Sequence, residues 1–99
     1  MNVDIYYFQG CPNHAPTVAL VRDVIRQMGV RVVLREVEVF ESQKGTHAWF
    51  LGSPTVLVDG RDIEPAARGR LGFSFGCRRY GDSGIPPRKL IEAALAPSV

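Results

Sequence analysis

The sequence has few cysteine and histidine residues. Cys11, Cys77, His14 and His47 are the complete set in 99 residues. Two cysteines cannot form the multi-disulfide framework of small secreted domains, and these four residues do not show the paired Cys and His spacing of a zinc site. Because 45% of the residues are hydrophobic, we expect a core that forms without disulfides, metals or a cofactor. The cysteines are therefore expected to be reactive rather than structural.

Long hydrophobic runs are also missing. No run approaches the roughly 20 apolar residues of a membrane helix, and residues 1–8 show neither a basic leader nor a cleavable apolar segment. We therefore expect a soluble, cytoplasmic protein with no membrane partner. Residues 60–99 contain seven Lys or Arg against four Asp or Glu, but no long basic block with interleaved aromatic residues. We interpret this excess as a solvated basic face and expect no nucleic-acid partner.

The first forty residues predict a strand, a helix and a second strand. Residues 3–8 combine β-branched and aromatic side chains, which is typical of a buried strand. Gly29 is well placed to end the helix, and residues 31–39 return to a strand pattern, so the two strands should be parallel. The apolar residues that recur at helical spacing are Val18, Val21, Ile25 and Met28.

A weak helix and a clear hairpin are predicted next. Gly45 lowers the helix propensity of residues 41–50, so we expect a short or irregular helix there. Residues 55–58 and 61–64 flank Asp59-Gly60, a pair that favours the positive φ angles of a two-residue turn. Two antiparallel strands are therefore expected.

The last part of the chain predicts a long loop and a final helix. Residues 66–85 show no sustained period, and Pro86-Pro87 precede an amphipathic segment containing Leu90, Ile91, Ala94 and Leu95. The resulting order, βαβαββα, predicts a single α/β domain over residues 1–99. We expect a four-stranded mixed sheet with helices on both faces.

Cys11 is the first candidate for chemistry. It opens the segment Cys11-Pro12-Asn13-His14 between the first strand and the first helix, and the positive end of a helix stabilises a thiolate. The alternative is a small turn residue with an ordinary thiol. His14 likewise has two interpretations, because it can accept the proton of Cys11 or simply cap or pack at the helix start.

The chain resembles the thioredoxin-like superfamily. The likeness lies in the strand, the segment Gly10 to His14, the helix, and Ser53-Pro54-Thr55 directly before the hairpin. It implies that Cys11 is the attacking cysteine and that Pro54 is a cis-proline facing it. His14 stands where the second cysteine of a C-x-x-C pair would be. The resemblance implies that the substrate is bound by Pro12, Asn13, Ser53, Pro54 and Thr55.

The missing second cysteine leaves two ways to release a bound partner. Glutathione or another protein can resolve the mixed disulfide, or Cys77 can do so if its Cα lies within about 7 Å of that of Cys11. Converging arginines would favour a Cys77 thiolate; those near it in sequence are Arg68, Arg70, Arg78 and Arg79. The alternative is a partly buried loop cysteine whose loop is tethered by Phe73, Phe75 and Tyr80.

Other conspicuous residues are predicted to be structural. Glu36, Glu38 and Glu41 alternate with apolar residues and indicate a solvated edge. His47 and Trp49 lie in the weak helix without a partner at ligand spacing.

A closer resemblance is to small bacterial thioredoxin-like proteins, some of them labelled as related to alkylmercury lyases or found alongside mercury resistance. Residues 50–64, 76–80 and 84–87 carry it. Soft thiolates favour soft metals, so binding of mercury or a similar ion by Cys11 and Cys77 is the second functional hypothesis. Carbon–mercury cleavage would also need an acid, which the sequence does not establish.

The leading hypothesis is a thiol-dependent redox protein, a thiol–disulfide oxidoreductase acting through Cys11. Its substrate would be a thiol or disulfide, either a protein or a low-molecular-weight compound. A third hypothesis is a redox-silent interaction module, because a fold does not fix a function. A homodimer through a sheet edge or an apolar face is compatible with each hypothesis.

Overall fold

The chain is a small α/β protein. The computed structural model describes residues 1–96, so residues 97–99 of the predicted domain lie outside the described part. In chain order the elements are β1 (Asn2–Tyr7), α1 (His14–Met28), β2 (Val33–Glu38), a 3-10 turn (Glu41–Gln43), β3 (Thr55–Val58), β4 (Arg61–Asp62), a second 3-10 turn (Pro65–Ala67) and α2 (Arg88–Leu95).

The four strands form one mixed sheet in the order β2-β1-β3-β4. β1 is parallel to β2, with Ile5 opposite Glu36, and antiparallel to β3, with Ile5 opposite Val56. β3 is antiparallel to β4. The predicted four-stranded mixed sheet and parallel first pair of strands are therefore confirmed.

Both helices pack on the same face of the sheet. Val3 and Ile5 of β1 lie opposite Val58 and Val56 of β3, so these four side chains share one face. They join a buried cluster with Val18, Val21 and Val24 of α1 and Ile91 and Leu95 of α2. Gly29 ends α1 as predicted, because it adopts the left-handed conformation at φ 66° and its N–H donates to the carbonyls of Ile25 and Arg26. Within residues 1–96 no helix is long and apolar enough to cross a membrane.

The second face of the sheet has no α-helix within residues 1–96. The helix predicted over residues 41–50 is a single 3-10 turn, so the prediction of helices on both faces is wrong. Irregular chain covers this face instead, and the ring of Trp49 packs edge-on against Tyr6 with 4.6 Å between ring centroids. Gly45 lies two residues beyond the turn, and its low helix propensity fits the early end.

The predicted hairpin is confirmed, but its second strand is shorter than expected. Asp59 and Gly60 both have positive φ, 50° and 81°, as a type I′ turn requires. The strand predicted through residue 64 ends at Asp62, although the N–H of Ile63 still donates to the carbonyl of Val56 at 3.1 Å. The Asp62 carboxylate accepts the N–H of Glu64 at 2.9 Å, and a side-chain bond of this kind favours a turn.

Candidate thiol site

Cys11 lies in the tight connection between β1 and α1. Its N–H donates to the carbonyl of Phe8 at 3.2 Å, and its own carbonyl accepts the N–H of His14 at 3.3 Å. Cys11 keeps 9% of its accessible surface. The N-cap residue of α1, Asn13, makes no side-chain capping bond, and the first turn contains no acidic residue. The positive end of the α1 dipole therefore has no carboxylate of its own to balance it.

Ser53 connects the start of β3 with the end of β1. The Ser53–Pro54 peptide bond is cis, and Ser53 is fully buried. Its hydroxyl oxygen accepts the N–H of Phe8 at 3.3 Å. Because the carbonyl of Phe8 in turn accepts the N–H of Cys11, a short chain of hydrogen bonds joins Ser53 to the Cys11 turn.

The backbone of Ser53 holds the segment that contains Cys77. The N–H of Ser53 donates to the carbonyl of Gly76, and the N–H of Arg78 donates to the carbonyl of Ser53, both at 2.9 Å. These two bonds form a parallel bridge that places Cys77 beside Ser53. Cys77 is exposed, and both cysteines are free thiols. Ser53 thus links the Cys11 turn to the Cys77 segment.

Aromatic contacts hold the long loop against the end of β1. The ring of Phe75 lies 5.2 Å from that of Phe8, and Phe73 lies 5.8 Å from Phe50 and 6.0 Å from Phe75, measured between centroids. Apolar rings at these separations attract one another. They tether the segment that leads into Cys77.

A buried ion pair anchors the segment that follows Cys77. The Arg78 guanidinium donates twice to the Asp62 carboxylate, at 2.8 and 2.9 Å, and once to Glu64 at 3.0 Å. Its carbon lies 4.6 Å above the ring of Tyr80. The Arg78 side chain is 4% exposed and that of Asp62 is 8% exposed. Convergence of arginines on Cys77 is therefore not observed for Arg78, whose charge is directed to Asp62.

Burial and hydrogen bonding shift the pKa values of Arg78 and Tyr80 in this cluster. Burial disfavours the charge of Arg78, but hydrogen bonds and attraction from Asp62 and Glu64 outweigh it and raise the arginine pKa above its ordinary value. For Tyr80, burial itself raises the pKa, because it disfavours the charged form of the side chain. The protonated Tyr80 hydroxyl donates to the carbonyl of Pro54 at 2.6 Å, so this tyrosine ties the loop directly to the cis-proline segment.

The ring of His14 is held by residues other than Cys11. Its Nε2–H donates to the Glu36 carboxylate at 2.8 Å, and its ring stacks on that of Tyr7 with 3.6 Å between centroids. Within residues 1–96 no hydrogen bond joins the His14 ring to the Cys11 thiol; the two residues are bonded through their backbones alone. Glu36, expected to lie on a solvated edge, is thus the partner that orients this histidine.

The residues predicted to bind substrate are mostly buried. Thr55 donates its hydroxyl to the carbonyl of Gly52 at 2.6 Å and accepts from Arg78 at 3.1 Å. Ser53 and Pro54 are buried as well, whereas Pro12 is exposed and Asn13 is half-buried. Residues 53–55 therefore lie beneath the protein surface, and Pro12 is the exposed member of the predicted substrate-binding set.

Sequence reasoning missed the buried ion pair. Its signal is the spacing: Asp62 and Glu64 are two residues apart, and so are Arg78 and Tyr80. In extended chain that spacing places both members of each pair on one side. Pairing the two segments, however, depends on the path of the long loop, which no local pattern indicates.

The soft metal ligands of the site are its two thiols. Within residues 1–96 no group of three or more His, Cys, Asp or Glu side chains is placed to hold a metal ion. A metal at Cys11 and Cys77 would therefore have two protein ligands.

Comparisons with known proteins give no match. No family model fits the sequence, and neither a curated protein nor a solved structure is significantly similar to the chain.

Proposed function

We propose that the chain is a thioredoxin-fold, thiol-dependent redox protein in which Cys11 attacks a disulfide and Cys77 resolves the product. The fold assignment is supported by the mixed sheet order β2-β1-β3-β4 and by a cysteine placed directly before α1. The cis Ser53–Pro54 bond immediately before β3 supports it further. Between β2 and β3, where the predicted order has a helix, the chain forms a 3-10 turn.

One observation carries the functional proposal: Ser53 links both cysteine-bearing segments. Its side chain is bonded to Phe8, which bonds Cys11, and its backbone is bonded on both sides of Cys77. In this proposal a cysteine from the distant loop takes the place of the missing second cysteine of a C-x-x-C pair. A resolving thiol must be within reach of the attacking one, and the bridge between Ser53 and Cys77 supports that role.

The reaction is a two-electron exchange. The Cys11 thiolate attacks one sulfur of the substrate disulfide, the substrate S–S bond breaks, and the first substrate thiolate leaves and takes up a proton. The Cys77 thiolate then attacks the Cys11 sulfur of the mixed disulfide, which releases the second substrate thiol and leaves a Cys11–Cys77 disulfide. Two molecules of a low-molecular-weight thiol then reduce the Cys11–Cys77 disulfide in two exchange steps and leave as one disulfide.

The local environment supports these roles. The uncapped start of α1 favours an anion at Cys11. Cys11 exposes only 9% of its surface, so we favour a small disulfide as the substrate over one recessed in a protein.

Serine variants of the two cysteines test this function. With hydroxyethyl disulfide as substrate and glutathione as reductant, Cys11→Ser should reduce the exchange rate to the uncatalysed background. Cys77→Ser should still attack, and without glutathione it should accumulate a mixed disulfide on Cys11 that mass spectrometry detects. Wild-type exchange in Cys11→Ser would overturn the proposal.

The same thiols make soft-metal binding a second candidate. Two thiolates suffice for a two-coordinate ion such as Hg²⁺, and soft metals select thiolate ligands. One ion per chain should bind to the wild type, and this stoichiometric binding should be lost in both serine variants. Tight binding that survives in each variant would exclude this site.

A further inference from the structure

A second site lies on the face of the sheet that carries no helix. A cavity of about 410 Å³ opens there, toward the end of β3 that is remote from Ser53. Its volume falls in the range of small-molecule sites, roughly 300–1,000 Å³. Among the residues that line it are Trp49, Leu57, Arg61, Arg68, Arg70 and Leu71.

The cavity has an apolar floor that is held in place. Leu57 points to this face because Val56 and Val58 on either side point into the helical core. Trp49 is fixed by its edge-on contact with Tyr6. At the mouth, Leu71 keeps 78% of its surface exposed. A ring or other flat apolar group can therefore lie against Trp49 and Leu57 and cover surface that now faces water.

The rim of the cavity is positively charged without a compensating carboxylate. Asp62 is the acidic residue in the lining, and both of its carboxylate oxygens are bonded to Arg78. Arg68 is oriented by its Nε–H, which donates to the carbonyl of Asp62 at 2.7 Å. Arg61 and Arg70 form no ion pair within residues 1–96. Three of the seven basic residues in the segment 60–99 therefore line this cavity, and each of them is exposed.

We propose that this cavity binds a small organic anion with a flat apolar body, its carboxylate or similar oxyanion held by Arg68 and Arg70. The planar guanidinium groups match an oxyanion in geometry as well as in charge. Trp49 and Leu57 contact the apolar body. The site does not include Cys11 or Cys77, so it does not depend on the thiol chemistry.

Trp49 also supplies the readout, because it is the single tryptophan of the chain. The full-length protein is titrated at low salt with naphthoate and, as a matched uncharged ligand, naphthamide. We expect saturable quenching of Trp49 emission by naphthoate, and a Kd for naphthamide at least about tenfold higher, the effect of one charge-assisted contact. Added salt should weaken naphthoate binding and leave naphthamide binding nearly unchanged.

Arginine variants locate the anion. Arg70→Gln should raise the Kd for naphthoate about tenfold, while Arg31→Gln, at an exposed arginine outside the cavity lining, should leave it unchanged. Cys11→Ser should also bind normally, which separates this proposal from the thiol function. Equal affinity for the two ligands, no saturable quenching, or equal effects of the two arginine variants would overturn it.

Discussion

Replacing Arg78 with methionine is expected to lower the free energy of unfolding by about 3–5 kcal/mol, the typical effect of breaking a buried ion pair. The Asp62 carboxylate would lose two hydrogen bonds and its counter-charge while remaining only 8% exposed. Methionine retains much of the length of the arginine side chain, so the effect comes mainly from the unpaired charge. Glu64 is 28% exposed and can recover part of its hydration.

Urea denaturation measures this effect without the added salt of guanidinium. Arg79→Met is the matched control, because Arg79 is the exposed neighbour and should change the free energy of unfolding by no more than about 0.5 kcal/mol. The double variant Arg78→Met/Asp62→Asn should regain part of the loss, because asparagine carries no charge. A loss below about 1 kcal/mol in Arg78→Met would show that the pair does not hold the loop.

Gly52→Ala is expected to destabilise the protein by about 2–5 kcal/mol, from backbone strain and overpacking together. Gly52 has φ +127°, and an added Cβ would lie 2.9 Å from both Cα and Cβ of Arg78. Backbone atoms cannot yield as a flexible side chain can. The residue 76–78 segment would have to move away from Ser53 and carry Cys77 with it.

Gly45→Ala is the matched control for this substitution. Gly45 has open space around its Cα and no positive φ, so alanine there should be neutral or stabilise by up to about 1 kcal/mol. At a temperature where Gly52→Ala is still folded, it should also form the Cys11–Cys77 disulfide more slowly than the wild type. Unchanged stability and unchanged disulfide formation would mean that the close contact with Arg78 does not position Cys77.

The elements with strong local signals were predictable from the sequence. The stripe of valines in α1, the left-handed end at Gly29 and the Asp59-Gly60 turn each follow from side-chain spacing or backbone preference. The segment over residues 41–50 had only a weak helical signal. It forms a 3-10 turn and irregular chain, in which Trp49 packs on Tyr6.

Of the candidate site, only the segments that carry Cys11 and Pro54 were predictable from the sequence. Cys11 precedes a helix as its sequence context indicated, and Ser53–Pro54 is cis as the resemblance implied. The position of Cys77 depends on Arg78 reaching Asp62 and on Tyr80 reaching Pro54, contacts between segments far apart in the chain. Such contacts arise from tertiary packing, and residue types near Cys77 in sequence gave no indication of them.

Peptide-mapped alkylation of Cys11 and Cys77, on reduced protein and again after mild oxidation, tests the two-thiol site most directly. In the reduced protein both peptides should be labelled. After oxidation both should be protected together and appear as one disulfide-linked peptide pair in the monomer. If the two thiols never join within one chain, Cys77 is not the resolving thiol and the proposed exchange cycle is wrong.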